Sequence, residues 1–322
     1  MLTLPEFEMV QPKSFQEAVA LLASPSSMAM AGGTDLVPNM KHGLFSPTLI
    51  VDLKSIKDGR EIELTESQLR IGALCTLDTL SQHEVLLQIV PALSKACGLV
   101  AGPQLRRMGT LGGNLCLDTR CVYYNQTYFW RDSLGFCLKK DGTACHVVTS
   151  GKKCVAAASN DTAPVLIALG AKVLIVSAAG ERELSLDKFY VADGIKNTSL
   201  QPGELVRAIL IPRPKAQTKM SYEKLRTRQA IDFPMLSMAV VAEHDGEIIS
   251  SLCIILNALA SRPRAVAGLA EIAVGKTWTK EVIEKVAAQV HRQAHPLTNI
   301  LGDVEWRREM APVLLRRAVL GF

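Results

Sequence analysis

No stretch of the 322 residues is both long and apolar enough to cross a bilayer; the longest, Ala163 to Val176, is interrupted by Lys172. The first fifteen residues carry acids and two prolines and lack the apolar core of a secretory signal. These two shortages predict a cytoplasmic chain with no membrane role. Basic blocks are missing as well. The net charge is +5, from 36 basic and 31 acidic residues, and the densest cluster, Lys224 to Arg228, is short. That pattern describes a solvated surface and argues against nucleic acid as a partner. His42, His83, His244, His291 and His295 form no constellation and the carboxylates are scattered, so no proton-transfer residues are assigned. There is no internal repeat and no low-complexity tract. The glycine loops have neither the G-x-G-x-x-G spacing of a dinucleotide fingerprint nor the lysine of a Walker loop. The C-x2-C pair of a zinc ribbon is also missing.

Against these absences, cysteine and glycine are concentrated. Five of the eight cysteines fall between Cys116 and Cys154. Four of them, Cys121, Cys137, Cys145 and Cys154, follow a glycine-rich turn, Thr110-Leu-Gly-Gly-Asn114, with the spacing C-x15-C-x7-C-x8-C. In a reducing compartment, clustered thiols point to metal or catalysis rather than disulfides. Four cysteines without paired histidines suit an iron–sulfur cluster, and a four-cysteine zinc site that pins the loop is the alternative. His146 adjoins Cys145 as a further candidate ligand or a donor to one. Six of the sixteen aromatic residues lie between Tyr123 and Phe136, where they could keep water from a metal centre. The segment from about 116 to 155 has no clear period, and a loop of that length needs something to hold it. Cys75, Cys97 and Cys253 read as buried free thiols.

The glycines form two loops. In Ala31-Gly-Gly-Thr-Asp35, adjacent glycines let backbone N–H groups approach an anion such as a pyrophosphate, and Thr34 adds a hydroxyl; a plain turn is the other reading. Thr110 to Asn114 repeats the theme, so together the loops could hold both ends of an extended cofactor. Asp161, at the start of a helix, is placed to accept hydrogen bonds from a sugar or base, or to cap that helix.

Around these motifs the chain alternates. Ser14 and Glu17 form a capping box before the amphipathic stretch Phe15 to Leu22. With strands at Met28 to Ala31 and Leu49 to Leu53 this gives a compact α/β unit of about sixty residues. A strand follows at Arg70 to Leu74, then helix from Thr79 to Ser94 interrupted at Pro91. Beyond the cysteines come a helix at Thr162 to Leu169 and strands at Lys172 to Ser177 and Leu205 to Ile211. Pro212 and Pro214 mark a domain boundary. Strands at Met238 to Glu243 and Ser251 to Leu256, joined by an Asp245-Gly246 hairpin turn, precede helices near 264–274, 279–294 and 305–319.

Taken in order, Ala31-Gly-Gly-Thr-Asp35, Met40-Lys41, Ile71-Gly-Ala73, Met108-Gly-Thr-Leu-Gly-Gly-Asn-Leu-Cys116, Asn160-Asp-Thr-Ala-Pro-Val-Leu-Ile-Ala-Leu-Gly170, Lys224 and Arg262-Pro-Arg264 carry a resemblance. They resemble the FAD-binding medium subunit of the molybdenum hydroxylase family, which includes xanthine dehydrogenase and carbon monoxide dehydrogenase. The resemblance covers nearly the whole chain. It implies an α+β fold: a two-part FAD-binding domain of the xanthine dehydrogenase medium-subunit (PCMH) type at 1–214, with subdomains 1–58 and 59–214, and a C-terminal domain of the CO dehydrogenase flavoprotein type at 215–322, a small antiparallel sheet with helices. It also implies that Ala29, Met30, Ala31, Gly32, Gly33, Thr34 and Asp35 wrap the FAD pyrophosphate. Ala101, Thr110, Leu111, Gly112, Gly113 and Asn114 would line the ribityl chain and flavin. Asp161 would contact the adenosine half and Lys224 would approach the isoalloxazine, where a cation stabilises the anionic reduced form.

The departure from that pattern is the insertion at about 116–155. Cys116 belongs to the ordinary motif. The insertion, through Tyr123-Tyr-Asn-Gln126, Phe129-Trp130-Arg131 and Gly135-Phe-Cys137, resembles that of the β subunit of 4-hydroxybenzoyl-CoA reductases. By that resemblance Cys121, Cys137, Cys145 and Cys154 bind a 4Fe–4S cluster. The subunit would pass electrons from ferredoxin through the cluster and FAD toward molybdenum, for reductive dehydroxylation to benzoyl-CoA. Its implied partners are a large molybdopterin subunit and a small 2Fe–2S subunit, in a dimer of heterotrimers. Two alternatives stand: an NAD- or dye-linked hydroxylase flavoprotein with a structural zinc, and a docking subunit without cofactor.

Overall fold

A computed structural model of the chain describes residues 2–322. The first unit contains β1 (Glu8–Val10), α1 (Phe15–Leu21), β2 (Ser27–Met30), α2 (Leu36–Lys41) and β3 (Leu49–Asp52). Its three strands are parallel, in the order β1-β3-β2. The Ser14 hydroxyl accepts from Glu17 N–H at 3.2 Å, and the Glu17 carboxylate reaches back to Lys13 N–H at 2.7 Å, so the capping box forms one residue wider than the usual motif. Phe15, Ala18 and Val19 on the apolar face of α1 pack with Val51 and Leu53, and with Leu74, Val176 and Leu205 from the second unit. The first sheet is thus welded to its neighbour by shared core.

The second unit runs through β4 (Ile62–Leu64), β5 (Gln68–Gly72), α3 (Leu77–Gln82), α4 (Glu84–Ile89), α5 (Pro91–Gly98), α6 (Pro103–Met108) and α7 (Leu111–Leu115). After the cysteine segment, which holds α8 (Tyr128–Ser133), it continues with α9 (Thr162–Ala168), β6 (Lys172–Ser177), β7 (Gly180–Ser185), α10 (Leu186–Phe189) and β8 (Leu205–Pro212). The sheet is antiparallel, in the order β4-β5-β8-β6-β7. Its largest apolar cluster lies between this sheet and α3, α5, α7 and α9. The helix expected over Thr79 to Ser94 is three short helices, because both His83 and Val90 leave helical geometry and Pro91 starts the third.

The C-terminal unit is a four-stranded antiparallel sheet, β9 (Lys219–Leu225), β10 (Leu236–Asp245), β11 (Ile248–Asn257) and β12 (Arg264–Ala265), in the order β12-β11-β10-β9. It is backed by α11 (Ala270–Ala273), α12 (Lys280–Gln293) and α13 (Val304–Ala318). The β10–β11 hairpin turns at Asp245-Gly246, as the sequence predicts, with Gly246 at φ 60°. The expected helix at 264–274 shrinks to α11: Arg264 pairs with β11 instead, and Gly268 at φ 71° breaks the run. Tyr222 and Ala239 of this unit enter the central core. The α+β architecture expected from the sequence holds for the chain as a whole: one small parallel sheet and two antiparallel sheets, each with its helices.

The cysteine segment is irregular but anchored at several points. Arg120 and Ala157 exchange backbone hydrogen bonds at 2.8 and 2.7 Å and close its base. Val122 N–H donates to Asn299 O at 2.8 Å and the Asn299 amide to Val155 O at 2.5 Å, which ties it to the C-terminal unit. Arg131 on α8 is buried and donates to His42 O and Gly43 O at 3.3 and 3.2 Å, which fastens the far side to the turn after α2.

Candidate functional site

A cleft of about 500 Å³ opens where the end of β2, the α6–α7 turn, the start of the cysteine segment and residues 231–233 of the C-terminal unit meet. That size is in the range of small-molecule and cofactor sites. Ala29, Met30, Ala31, Gly32, Gly33, Thr34 and Asp35 line one side, and Ala101, Thr110, Gly113, Asn114 and Asp161 line another. The two glycine loops therefore face one cavity. Their glycines answer to the backbone first. A Cβ on Gly32 would lie 1.9 Å from Met108 O, so the first loop can touch the α6–α7 turn only as glycine, and Gly33 sits at φ 69°. In the second loop, the Thr110 hydroxyl caps α7 by accepting from Gly113 N–H at 3.1 Å.

Three of the expected cofactor residues do not line the cleft. Leu111 is fully buried in the central core. Gly112 faces the β5 end: its N–H donates to Ala73 O at 2.8 Å and a Cβ there would meet Ala73 Cβ at 2.7 Å. Both turn inward because α7 presents one face to the core and the other to the cleft. Lys224 lies behind the wall, where its ammonium donates to Asp161 at 2.8 Å and to Leu99 O at 3.0 Å. Asp161 also accepts from the Tyr222 hydroxyl at 2.5 Å. The resemblance set Asp161 and Lys224 at opposite ends of the cofactor; the structure makes them one buried ion pair, because the Tyr222 and Lys224 side chains of β9 both reach Asp161. Burial pushes the Asp161 carboxyl above its usual range, while the Lys224 ammonium and Tyr222 hydroxyl pull it back. Asp161 does not cap α9 with its side chain. That start is held by Asn114, whose carboxamide oxygen accepts from Thr162 N–H at 3.1 Å and from its hydroxyl at 2.7 Å.

Sequence reasoning missed Arg120 and the 231–233 roof. Arg120 pairs with Asp35, and its guanidinium carbon lies 4.4 Å from the Phe233 ring centroid. Burial draws its pKa down to about 10, which leaves it charged at neutral pH. Ile231 N–H donates to Ala101 O at 3.0 Å, and both residues are in the left-handed region, at φ 57° and 43°. No periodicity or motif marks either feature, because both depend on contacts between distant segments.

Cys121, Cys137, Cys145 and Cys154 come together around a second, smaller cavity of about 20 Å³, with Tyr123, Tyr124, Lys139 and His146. None is in a disulfide. Val148 N–H donates to Cys145 Sγ and Ala156 N–H to Cys154 Sγ, each at 3.4 Å. Gly194 permits the approach of its backbone to Cys154 Sγ, since a Cβ there would lie 2.7 Å away. Burial pushes the Cys121 thiol up to about 11, with the other three cysteines adding to it. Among the described residues no three His, Cys, Asp or Glu side chains converge as ligands of a single ion. What the segment brings together is four sulfurs lining one cavity, two of them accepting backbone N–H groups. His146, also on this cavity, hydrogen-bonds through Nε2 with Phe136 O at 2.5 Å.

One strip, Asp118-Thr119-Arg120, separates the two cavities. Asp118 and Arg120 line the cleft. From the cysteine side, the buried Lys139 ammonium reaches Asp118 at 2.6 Å and the Thr119 hydroxyl at 2.5 Å. Its ammonium stacks on Tyr124 at 4.2 Å. Burial lowers the Lys139 pKa and Asp118 opposes that.

A cofactor-sized cleft lined by two glycine loops defines a class of protein that holds a small molecule between its units, and comparison with known families narrows it. Residues 5–214 match the FAD binding domain in molybdopterin dehydrogenase, and residues 220–322 match the CO dehydrogenase flavoprotein C-terminal domain. The chain belongs to this family and is a FAD-binding oxidoreductase subunit of the molybdenum hydroxylase type. It is 30% identical over 315 residues to the carbon monoxide dehydrogenase medium chain of Afipia carboxidovorans, covering 97% of this chain and 95% of that one. It is 32% identical over 241 residues to the aldehyde oxidoreductase FAD-binding subunit PaoB of Escherichia coli, covering 72% and 75%. The reconstituted CO dehydrogenase from Oligotropha carboxidovorans superposes with a TM-score of 0.81 at 29% identity, over 98% of this chain and 97% of that one.

Proposed function

We propose that this chain is the flavoprotein β subunit of a molybdenum-containing 4-hydroxybenzoyl-CoA reductase, carrying FAD in the large cleft and a 4Fe–4S cluster on Cys121, Cys137, Cys145 and Cys154. The observation that carries the reading is the gathering of those four sulfurs in a segment inserted between α7 and α9, one three-residue strip from the cleft. The proposed FAD-binding residues are the loop Ala29 to Asp35, with Ala101, Thr110, Gly113, Asn114 and Asp161. FAD stores two electrons and exchanges them singly or in pairs, and a 4Fe–4S cluster carries one at a time.

The chain's own residues supply the setting. The loop Gly32 to Asp35 would present backbone N–H groups to an anion, the buried Asp161–Lys224 pair fixes the cleft floor, and Lys139 places a cation between the two cavities. The assembled reaction is 4-hydroxybenzoyl-CoA plus two electrons and two protons giving benzoyl-CoA and water. Reductive removal of a hydroxyl from an aromatic ring calls for low-potential single electrons, which suits ferredoxin as donor. The substrate site belongs to a large molybdopterin subunit, with a small 2Fe–2S subunit as third partner in a dimer of heterotrimers. No helix is long and apolar enough to cross a membrane, and the proposed setting is cytoplasmic.

Anaerobic purification with metal, sulfide and flavin analysis tests this. The expected content is about four iron and four acid-labile sulfide with one FAD per chain. One zinc with no sulfide would instead support an NAD- or dye-linked hydroxylase flavoprotein with a pinned loop. A colourless chain that takes up no FAD would leave a docking subunit.

A further inference from the structure

Four carboxylates line the cleft, and each already holds a cation. Asp35 pairs with Arg120, Asp118 with Lys139 at 2.6 Å, Asp161 with Lys224 at 2.8 Å and Asp232 with Arg228 at 2.7 Å. Lys139, Lys224 and Arg228 do not line the cavity. Among the described residues, Arg120 is the one lysine or arginine that does. Its backbone is fixed from both sides by the Ala157 hydrogen bonds, its guanidinium carbon lies against Phe233, and its Nε is buried with no hydrogen-bond partner. A guanidinium has five N–H donors in a planar fork, so pairing with Asp35 leaves donors to spare. The Asp35 contact also sets the guanidinium beside the glycine loop.

We propose that Arg120 is a diphosphate-binding residue of the cleft, supplied by the inserted segment rather than by either glycine loop. The inference rests on the reading of the cleft as the FAD site. A diphosphate entering a cavity of largely apolar lining must be met by charge-assisted hydrogen bonds, and the carboxylates there oppose it unless each stays neutralised. Arg120 does both: it neutralises Asp35 and offers an unspent donor. The inserted segment then serves two sites at once, with Arg120 facing the cleft and the adjoining Cys121 facing the sulfur cavity.

The test is flavin binding to the full-length chain after removal of bound flavin, read by quenching of flavin fluorescence. FAD is compared with riboflavin, which lacks phosphate. Arg120→Gln is expected to weaken FAD binding roughly tenfold to a hundredfold, the worth of one charge-assisted hydrogen bond, and to leave riboflavin binding within about twofold. Arg120→Lys should recover part of the FAD affinity, because it keeps the charge and loses the fork. ADP should compete with FAD on the wild-type chain and lose that competition on Arg120→Gln. Equal losses for FAD and riboflavin would mean that Arg120 only shapes the cleft and would overturn the proposal, as would unchanged FAD affinity. Should Arg120→Gln fail to fold, Arg120→Lys decides alone: FAD weakened with riboflavin unchanged supports the proposal, and both unchanged or both weakened overturns it. A wild-type chain that binds neither FAD nor ADP would sink the cofactor reading itself, and Arg120 with it.

Discussion

Lys224 and Asp161 carry opposite charges at 1% and 4% side-chain exposure. Taking both charges out of water is costly, and the pair repays this through three good hydrogen bonds: Lys224 to Asp161, Lys224 to Leu99 O, and Tyr222 to Asp161. Removing one partner strands the other. Lys224→Met should therefore lower stability by about 3–5 kcal/mol, whereas the double variant Lys224→Met with Asp161→Asn should lose clearly less than the sum of the singles. Thermal or urea unfolding of the four proteins measures the cycle, and strictly additive losses would mean that the pair is not an energetic unit. The same residues show how far the sequence carries at this scale. Both were legible as special by their register in the family motif, yet neither spacing nor charge could reveal that 63 positions apart they touch. Gly32 gives a similar lesson. Its lack of a side chain was legible as close approach to an anion, and the close approach the structure displays is to Met108 O.

Elements with a strong period were the legible ones. Strands β3, β6, β8, β10 and β11, and helices α1, α9, α12 and α13, fall within a few residues of their expected limits, because buried apolar runs and caps such as Ser14 define them locally. Strand β7, Gly-Glu-Arg-Glu-Leu-Ser, was invisible: it is a largely exposed edge strand whose charged side chains need no apolar alternation. Strand β9 was missed for a related reason, since Lys219–Leu225 spends few residues on the core and is defined by pairing with β10. The cysteine segment offered composition but no period, so its path could be told only from contacts. Arg131 is the clearest of these. Its side chain is 1% exposed, pairs with Asp141 at 3.2 Å and grips two carbonyls of the turn after α2. Arg131→Met should free the segment while the three sheets stay folded. Losing these bonds should favour local opening by about 2–3 kcal/mol, so limited proteolysis between residues 121 and 155 should speed up roughly thirty- to a hundred-and-fifty-fold. Unchanged cleavage, or cleavage spread across the chain, would show that the segment is held by other means.

At the scale of the whole molecule, the two cavities are served by different parts of the chain that meet at one strip. The first unit gives a glycine loop, the second gives α7 and α9, the C-terminal unit gives the 231–233 roof, and the insertion gives the sulfurs. Lys139 belongs to the sulfur cavity and its partner Asp118 to the cleft, so a change at one cavity has a short mechanical route to the other. The proposed function divides labour along the same line, with single electrons accepted at the sulfurs and flavin chemistry in the cleft. Cys137→Ser separates these duties. Cys137 is buried against Leu44 and Tyr124 and lines the sulfur cavity, not the cleft, and serine is nearly isosteric, so the cleft should keep its shape. In the assembled enzyme this variant should retain its FAD, measured by released flavin, and should lose iron, acid-labile sulfide and ferredoxin-driven reduction of 4-hydroxybenzoyl-CoA. A variant that loses its iron yet turns over with ferredoxin at the wild-type rate would refute the sulfur cavity as the point of electron entry. A variant that loses FAD in parallel with iron would show instead that the strip from Asp118 to Arg120 makes the cleft depend on the metal-bearing segment.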